Sequence, residues 1–379
     1  MRALTLAVAG LSVVALSLTA APAASAAAAV VPYLPRPTGH QPVGVTSLYL
    51  KDTSRPDPWV STVPYRELMV SVFYPATSGN GPTKQYMTPL ESERNLEGQD
   101  ISGLPLDILS TVRTNAVVDA RPAGRPHSQP LVVLSPGWTQ PRATLTPQAE
   151  DLASHGYVVV AIDHTYENRA TTFPDGHVTD CVACAVDDRP GFWEKFAQVR
   201  SADTSFVLDQ LTGPHPKWRG SALIDPRRIG MTGHSAGGAV TIQAMLADPR
   251  IRAGADLDGS IHVLLLDSGL SRPFMFVGNM DAYTPGAPGP YDDWETDWQH
   301  LTGWKRWIMV SGVVHSSFTD IGVLAGELGL DIGASIDGTR ALDITRSYVR
   351  AFFDQNLGCQ PQPLMAAPSP AYPEVTFVG

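Results

Sequence analysis

Apolar residues cluster along this chain at two different spacings. From Arg66 to Tyr74 they alternate with polar ones in places, with Leu68, Val70, Val72 and Tyr74 sharing a side, which predicts an early antiparallel strand. Pro130 to Leu134 and Tyr157 to Ile162 are instead unbroken apolar runs, as strands covered on both faces require. Helical spacing runs from Leu145 to His155, closed by Gly156, then from Phe192 to Leu211, Ala236 to Ala247 and, amphipathically, Ala341 to Asn356. Arg228 to Met231, Ala253 to Leu257, Phe274 to Val277 and Trp307 to Val310 read as further short strands, and Ile101 to Val112 as a short helix. Strands alternating with helices of this length imply an α/β fold, a mostly parallel central sheet with helices on both faces. Residues that do chemistry on such a sheet belong just after the carboxyl ends of its strands.

The N-terminus follows a different rule. Arg2 precedes an apolar stretch from Leu4 to Ala20, and Ala24-Ser25-Ala26 fits a small-residue cleavage site. Residues 1–26 are therefore expected to be a secretory signal peptide cut near Ala26. The apolar stretch is short and no stop-transfer cluster follows, so a secreted, extracellular chain with no stable membrane anchor is expected. Residues 27–41 read as an extended lead-in, 42–357 as the α/β domain that holds the chemistry, and 358–379 as a Pro-rich tail.

Composition narrows the partners. With 43% hydrophobic and 17% charged residues the chain can bury a sizeable core. Lys and Arg number 27 against 37 Asp and Glu, a net charge of −10, which repels nucleic acid. No basic run marks an anionic membrane surface. Of the three cysteines, Cys181 and Cys184 are spaced to close a small disulfide loop in an oxidising compartment, leaving Cys359 free. A redox or zinc function for this CxxC is the sharper alternative, but zinc needs two more ligands and none stands at suitable spacing.

The run Gly233-His-Ser235-Ala-Gly237 matches G-x-S-x-G, with a strand before it and small residues Ala236, Gly237, Gly238 and Ala239 after it. In this context the serine sits on a sharp strand-to-helix turn, where flanking side chains would clash and the helix N-terminus favours negative charge. Ser235 is the candidate nucleophile of an α/β-hydrolase fold. A serine hydroxyl needs a base oriented by a third group, in the chain order serine, acid, histidine. His315 follows the strand Trp307 to Val310 in a short loop and is the last histidine, whereas His300 lies in a polar helical stretch. The acid stays open on pattern alone. Asp258 ends one strand and Asp281 follows the next, while Asp256 shares the face of Asp258 one step deeper. Two backbone amides should stabilise an oxyanion, one on Ala236 and one in the loop Ser135-Pro-Gly-Trp138.

Several stretches together resemble the plasma-type platelet-activating-factor acetylhydrolase family, in an exported form of the kind bacteria secrete. They are Pro42-Val-Gly44, Pro130 to Gly137, Asp151 to Gly156, Gly233 to Gly238, Ala255 to Asp258, and Gly312 to His315 with Phe318 and Asp320. The resemblance implies Asp258 as the acid, with Asp281 the alternative, and Trp138 as the second oxyanion donor. It also implies no metal or cofactor, and a small-molecule or lipid ester as substrate, cleaved at short or oxidised acyl chains. Two departures stand out. Pro136 occupies a position where the family has histidine, and Ile101 to Val118 carries Asp107, Arg113 and Asn115 where the family's lipoprotein-docking segment is apolar. A Trp-rich insertion, with Trp294, Trp298 and Trp304, reads as packing or as a pocket wall. The expectation is a secreted serine carboxylic ester hydrolase. The alternatives are a lipase or polyester hydrolase acting on insoluble esters, and a non-catalytic binding module of the same fold.

Overall fold

Ten strands hydrogen-bond into one sheet in the computed structural model, which describes residues 31–265, 269–286 and 292–378. The expected signal peptide, 1–26, and the first residues of the lead-in lie outside the described residues.

The chain enters the sheet through β1 (Val43–Asp52) and β2 (Arg66–Pro75), paired antiparallel with Val45 opposite Phe73. Every residue of β2 is buried, so the alternation in its sequence does not mark a solvent face. Its polar positions are satisfied inside: Ser71 accepts from Arg142, and Arg66 pairs with Asp57 and Asp203. Next comes α1 (Pro89–Glu97), where the sequence reading placed no helix. Thr88 and Glu91 form a reciprocal capping box at its start. The helix expected over Ile101 to Val112 is instead a single 3-10 turn, Ile108–Thr111, because Gly103 at φ 83° and Pro105 interrupt the stretch.

Two strands, β3 (Val117–Val118) and β4 (Gln129–Ser135), lead to α2 (Thr146–Ser154) and β5 (Val158–Asp163). A short hairpin of β6 (Thr171–Thr172) and β7 (Val178–Thr179) stands apart from the main sheet, ahead of the long α3 (Phe192–Thr212). The chain then returns through β8 (Ile224–His234) to α4 (Ala236–Ala239) and α5 (Thr241–Ala247), one expected helix broken at Val240. After these follow β9 (Ile251–Leu257), β10 (Phe274–Asn279) with the one-turn α6 (Met280–Tyr283), α7 (Asp292–His300) and β11 (Lys305–Val310). The last elements are α8 (Ile321–Glu327), α9 (Gly338–Asn356), α10 (Pro363–Ala366) and β12 (Val375–Val378).

The spatial order is β12-β11-β10-β9-β8-β4-β5-β2-β1-β3, parallel from β5 across to β11. Of the expected tail, 358–379, the described residues up to 378 are part of this body: β12 pairs antiparallel with β11, and Met365 and Val375 are buried. Successive side chains along β4 alternate between two cores, Leu131 and Val133 towards α3 and Val132 and Leu134 towards α2 and α9. Among the described residues no helix is long and apolar enough to cross a membrane.

Packing also explains the Trp-rich insertion. Trp294 is fully buried against Tyr283 and Phe276, with ring centroids at 4.0 and 4.5 Å. Trp298 packs on Trp307 and Trp304 on Phe352. One turn along α7, Asp297 is fully buried and accepts the Leu265 amide at 2.7 Å. Burial, opposed by that hydrogen bond and aided by Asp293, pushes its carboxyl up from 3.8 to about 6. The folded chain thus holds a proton that the unfolded chain has released, so the stability from this group falls as pH rises from 3.8 to about 6. Asp297→Asn keeps an acceptor for Leu265. It should flatten the dependence of Tm on pH across that window and raise Tm at pH 7, which paired thermal melts will check.

Candidate active site

The turn between β8 and α4 is built around Ser235, which has φ 55° and ψ −129°, a conformation that costs about 1–3 kcal/mol and persists only where neighbours enforce it. The Ser235 amide donates to Leu257 O at 2.8 Å, and Ser235 O accepts from Gly238 and Ala239. A β-carbon on Gly233 or Gly237 would run into Ser135 O, and one on Gly238 into the Asp256 carboxyl. The glycines of the motif are therefore where β4, β9 and the new helix press together.

Ser235 Oγ lies 2.8 Å from His315 Nε2, and His315 Nδ1 lies 2.7 Å from Asp258 Oδ2. A carboxylate only accepts, so Nδ1 carries the hydrogen and Nε2 is left to accept from the serine. Asp258 is fully buried, His315 is half exposed, and Ser235 is partly exposed. Asp258 is gripped from β10: the Asn279 amide donates to Oδ1 at 2.7 Å, and Asn279 Nδ2 reaches both oxygens at 2.9 and 3.0 Å. Tyr283 Oη donates to Asp258 O at 3.1 Å. Asp281, the alternative acid, is exposed on α6 and makes no such contact with His315. The end of β10 thus supplies Asn279 to hold Asp258 and leaves Asp281 out of this chain of contacts. The same strand-end rule that raised Asp281 applies to Asn279, a signal the sequence reading passed over.

Two further groups tune this chain of contacts. Asp256, one step deeper on β9, is fully buried; burial, and to a smaller degree the neighbouring Asp258, raise its carboxyl well above the usual range. Its Oδ1 accepts from Gly259 at 2.9 Å and so shapes the loop after Asp258. His234 is buried beside His315, with ring centroids 4.6 Å apart, and its Nε2–H donates to His315 O at 2.8 Å. Burial and the adjacent His315 push His234 down to about 3, so it stays neutral.

An open cavity of about 420 Å³ lies over Ser235, walled by Trp138, Trp193, His262 and Tyr283. Trp193 and His262 stack at 4.1 Å, and Trp138 meets Phe192, Trp193 and Phe196 edge-on. Trp138 and Ala236, the two expected amide donors, both line it. Neither amide donates a hydrogen bond to another group among the described residues. Cys181 and Cys184 form a disulfide, and Asp187, three residues further along the chain, accepts from the Trp138 indole at 3.3 Å. Cys359 is free and exposed.

A mostly parallel sheet with helices on both faces, bearing a serine on a left-handed strand-to-helix turn within reach of a histidine held by a carboxylate, defines an ester hydrolase of the α/β-hydrolase class. The chain belongs to the family described as platelet-activating factor acetylhydrolase, isoform II, whose model matches residues 33–208 and 219–363. It is 30% identical over 381 residues to a probable 1-alkyl-2-acetylglycerophosphocholine esterase of Arthroderma benhamiae, covering 91% of this chain and 93% of that one. It is 23% identical to the platelet-activating factor acetylhydrolase of Cavia porcellus, over 60% of this chain and 58% of that one. Among solved structures, a ferulic acid esterase from Streptomyces cinnamoneus is 39% identical with a TM-score of 0.80, covering 92% of this chain and all of that one.

Proposed function

We propose that this protein is an exported serine carboxylic ester hydrolase that works through an acyl-enzyme. The observation that carries the reading is the unbroken contact from Ser235 through His315 to Asp258, opening on a cavity with two unengaged amides. His315 takes the proton of Ser235 as the hydroxyl attacks the ester carbonyl, and Asp258 holds the imidazole and stabilises its cation. The amides of Trp138 and Ala236 meet the developing oxyanion, each worth about 2.7–4 kcal/mol of barrier. His315 returns the proton to the departing alcohol, and water, activated by the same histidine, releases the acid. Export is supported by the signal-like pattern of residues 1–26 and by the disulfide Cys181–Cys184, a bond that persists in oxidising compartments.

Short-chain acyl esters, free or on a glycerophospholipid, are the substrate class the family membership supports. The aromatic wall of Trp138, Trp193, His262 and Tyr283 favours a second reading, in which a planar aryl acyl group such as a hydroxycinnamoyl stacks in the cavity. Hydrolysis of p-nitrophenyl esters from acetate to palmitate, with methyl ferulate alongside and Ser235→Ala as control, separates these. Activity that falls steeply with chain length and vanishes in the variant supports the first reading. A higher kcat/KM on methyl ferulate than on a short alkyl ester moves the assignment to aryl esters. A preference for long chains or dispersed substrate moves it to a lipase or polyester hydrolase. Turnover surviving in Ser235→Ala overturns the serine mechanism.

A further inference from the structure

The loop after β4 carries Trp138, and its conformation is held from below by a buried arginine. Gly137 packs on the nucleophile, since a β-carbon there would stand 3.2 Å from Ser235 Cβ. The loop then turns tightly, Gln140 donating to Gly137 O at 3.2 Å, with Thr139 at φ 64°. A β-branched residue rarely adopts that conformation, and it is held here by its surroundings. Thr139 donates to Glu167 O at 3.2 Å and accepts from the Arg169 amide at 3.1 Å. Because Gly137 O points into the turn, the Trp138 N–H of the same trans peptide points out of it.

Ahead of the turn, Arg200 on α3 is 1% exposed and sends Nη1 to Ser135 Oγ at 3.1 Å and to Pro136 O. Its Nε is held by Glu167 Oε2 at 2.7 Å, and Glu167 in turn accepts from Trp59 at 2.8 Å. Thus one residue, Glu167, fixes the guanidinium through its side chain and the strained turn through its backbone. Pro136 lacks an N–H and has a fixed φ, so the direction of its carbonyl is the remaining freedom of that peptide, and Arg200 sets it.

We infer that Arg200 is a positioning residue for the oxyanion hole, fixing the Pro136–Gly137 peptide so that the Trp138 amide is preset for the developing anion. This rests on the serine ester hydrolase reading above, in which Trp138 supplies one donor.

The test compares an ester with its thionoester, in which sulfur replaces the carbonyl oxygen. Sulfur is larger and a poorer acceptor, so a preset hole favours the oxygen substrate, and that preference reports the hole rather than the proton relay. Arg200→Met would leave the buried Glu167 with Arg66, 3.7 Å away, as its only counter-charge among the described residues, so it is paired with Glu167→Gln, and Arg200→Lys serves as a milder variant that keeps the charge. The double variant should lower kcat on p-nitrophenyl acetate by about 10²-fold with KM within about twofold. Its preference for oxygen over sulfur should shrink at least tenfold, with Arg200→Lys intermediate. Asp258→Asn should lose rate on both substrates and keep the preference. An unchanged preference in Arg200→Lys or the double variant, with near-ultraviolet circular dichroism like that of the wild type, overturns the inference while leaving the serine mechanism intact. Turnover in Ser235→Ala would instead remove the reading on which it rests.

Discussion

Replacing His315 by alanine should lower kcat on a soluble ester by roughly 10⁵–10⁶-fold, about 7–8 kcal/mol of barrier, with little change in KM. The size follows from the geometry. Ser235 Oγ has one nitrogen base within hydrogen-bond distance among the described residues, His315 Nε2 at 2.8 Å. The neighbouring His234 offers no substitute: its Nε2 is committed to His315 O, and burial, with the adjacent His315, pushes it down to about 3, too weak a base to take the serine proton. Losses in a proton relay are also far from additive, because a serine without its base and a base without its serine are equally idle. Ser235→Ala, His315→Ala and the double variant should therefore fall to nearly the same residual rate, the part the two amides and the cavity still supply. Single-turnover kinetics on p-nitrophenyl acetate check this, and a double variant slower than either single one by the product of their losses would show that the two residues do not act as a unit.

Much of this site was legible because strand ends and sharp turns leave local marks. The apolar runs at Pro130 to Leu134 and Tyr157 to Ile162 became the doubly buried β4 and β5, and the glycines around Ser235 stand where a β-carbon would strike Ser135 O. His315 could be placed because a strand and a short loop precede it. What stayed hidden depends on contacts distant in sequence. Asn279 grips Asp258 across 21 residues, and Arg200 reaches Ser135 across 65, and neither carries a local motif. The cavity wall stayed hidden for the same reason: of the two readings of the Trp-rich insertion packing holds, with Trp294 drawn into the core by Phe276 and Tyr283, while Trp193 on the distant α3 lines the cavity over Ser235. α1 was different, since its capping box at Thr88 and Glu91 was visible, but the following run at Ile101 to Val112 is more apolar and drew the helix assignment.

The choice between the two candidate acids yields the other large effect. Asp258→Asn should cut kcat by about 10⁴-fold, some 5 kcal/mol, whereas Asp281→Asn should leave it within about twofold. An asparagine at 258 has one acceptor and one donor where the carboxylate has two acceptors. Asn279 claims the acceptor: its backbone amide donates to Oδ1 at 2.7 Å and its side chain donates to that same oxygen at 2.9 Å. The new NH₂ is then left at the Oδ2 position, 2.7 Å from His315 Nδ1, and two donors cannot face one another there. The imidazole settles this by moving its hydrogen to Nε2, the nitrogen that must be bare to accept from Ser235. The defect is thus one of tautomer rather than of position, so substrate binding should survive and KM should change little. Asp281, exposed on α6 beyond Asn279, touches none of these atoms. Steady-state kinetics on the two variants decide between them, and a loss in Asp281→Asn matching that in Asp258→Asn would assign the acid to the end of β10 instead.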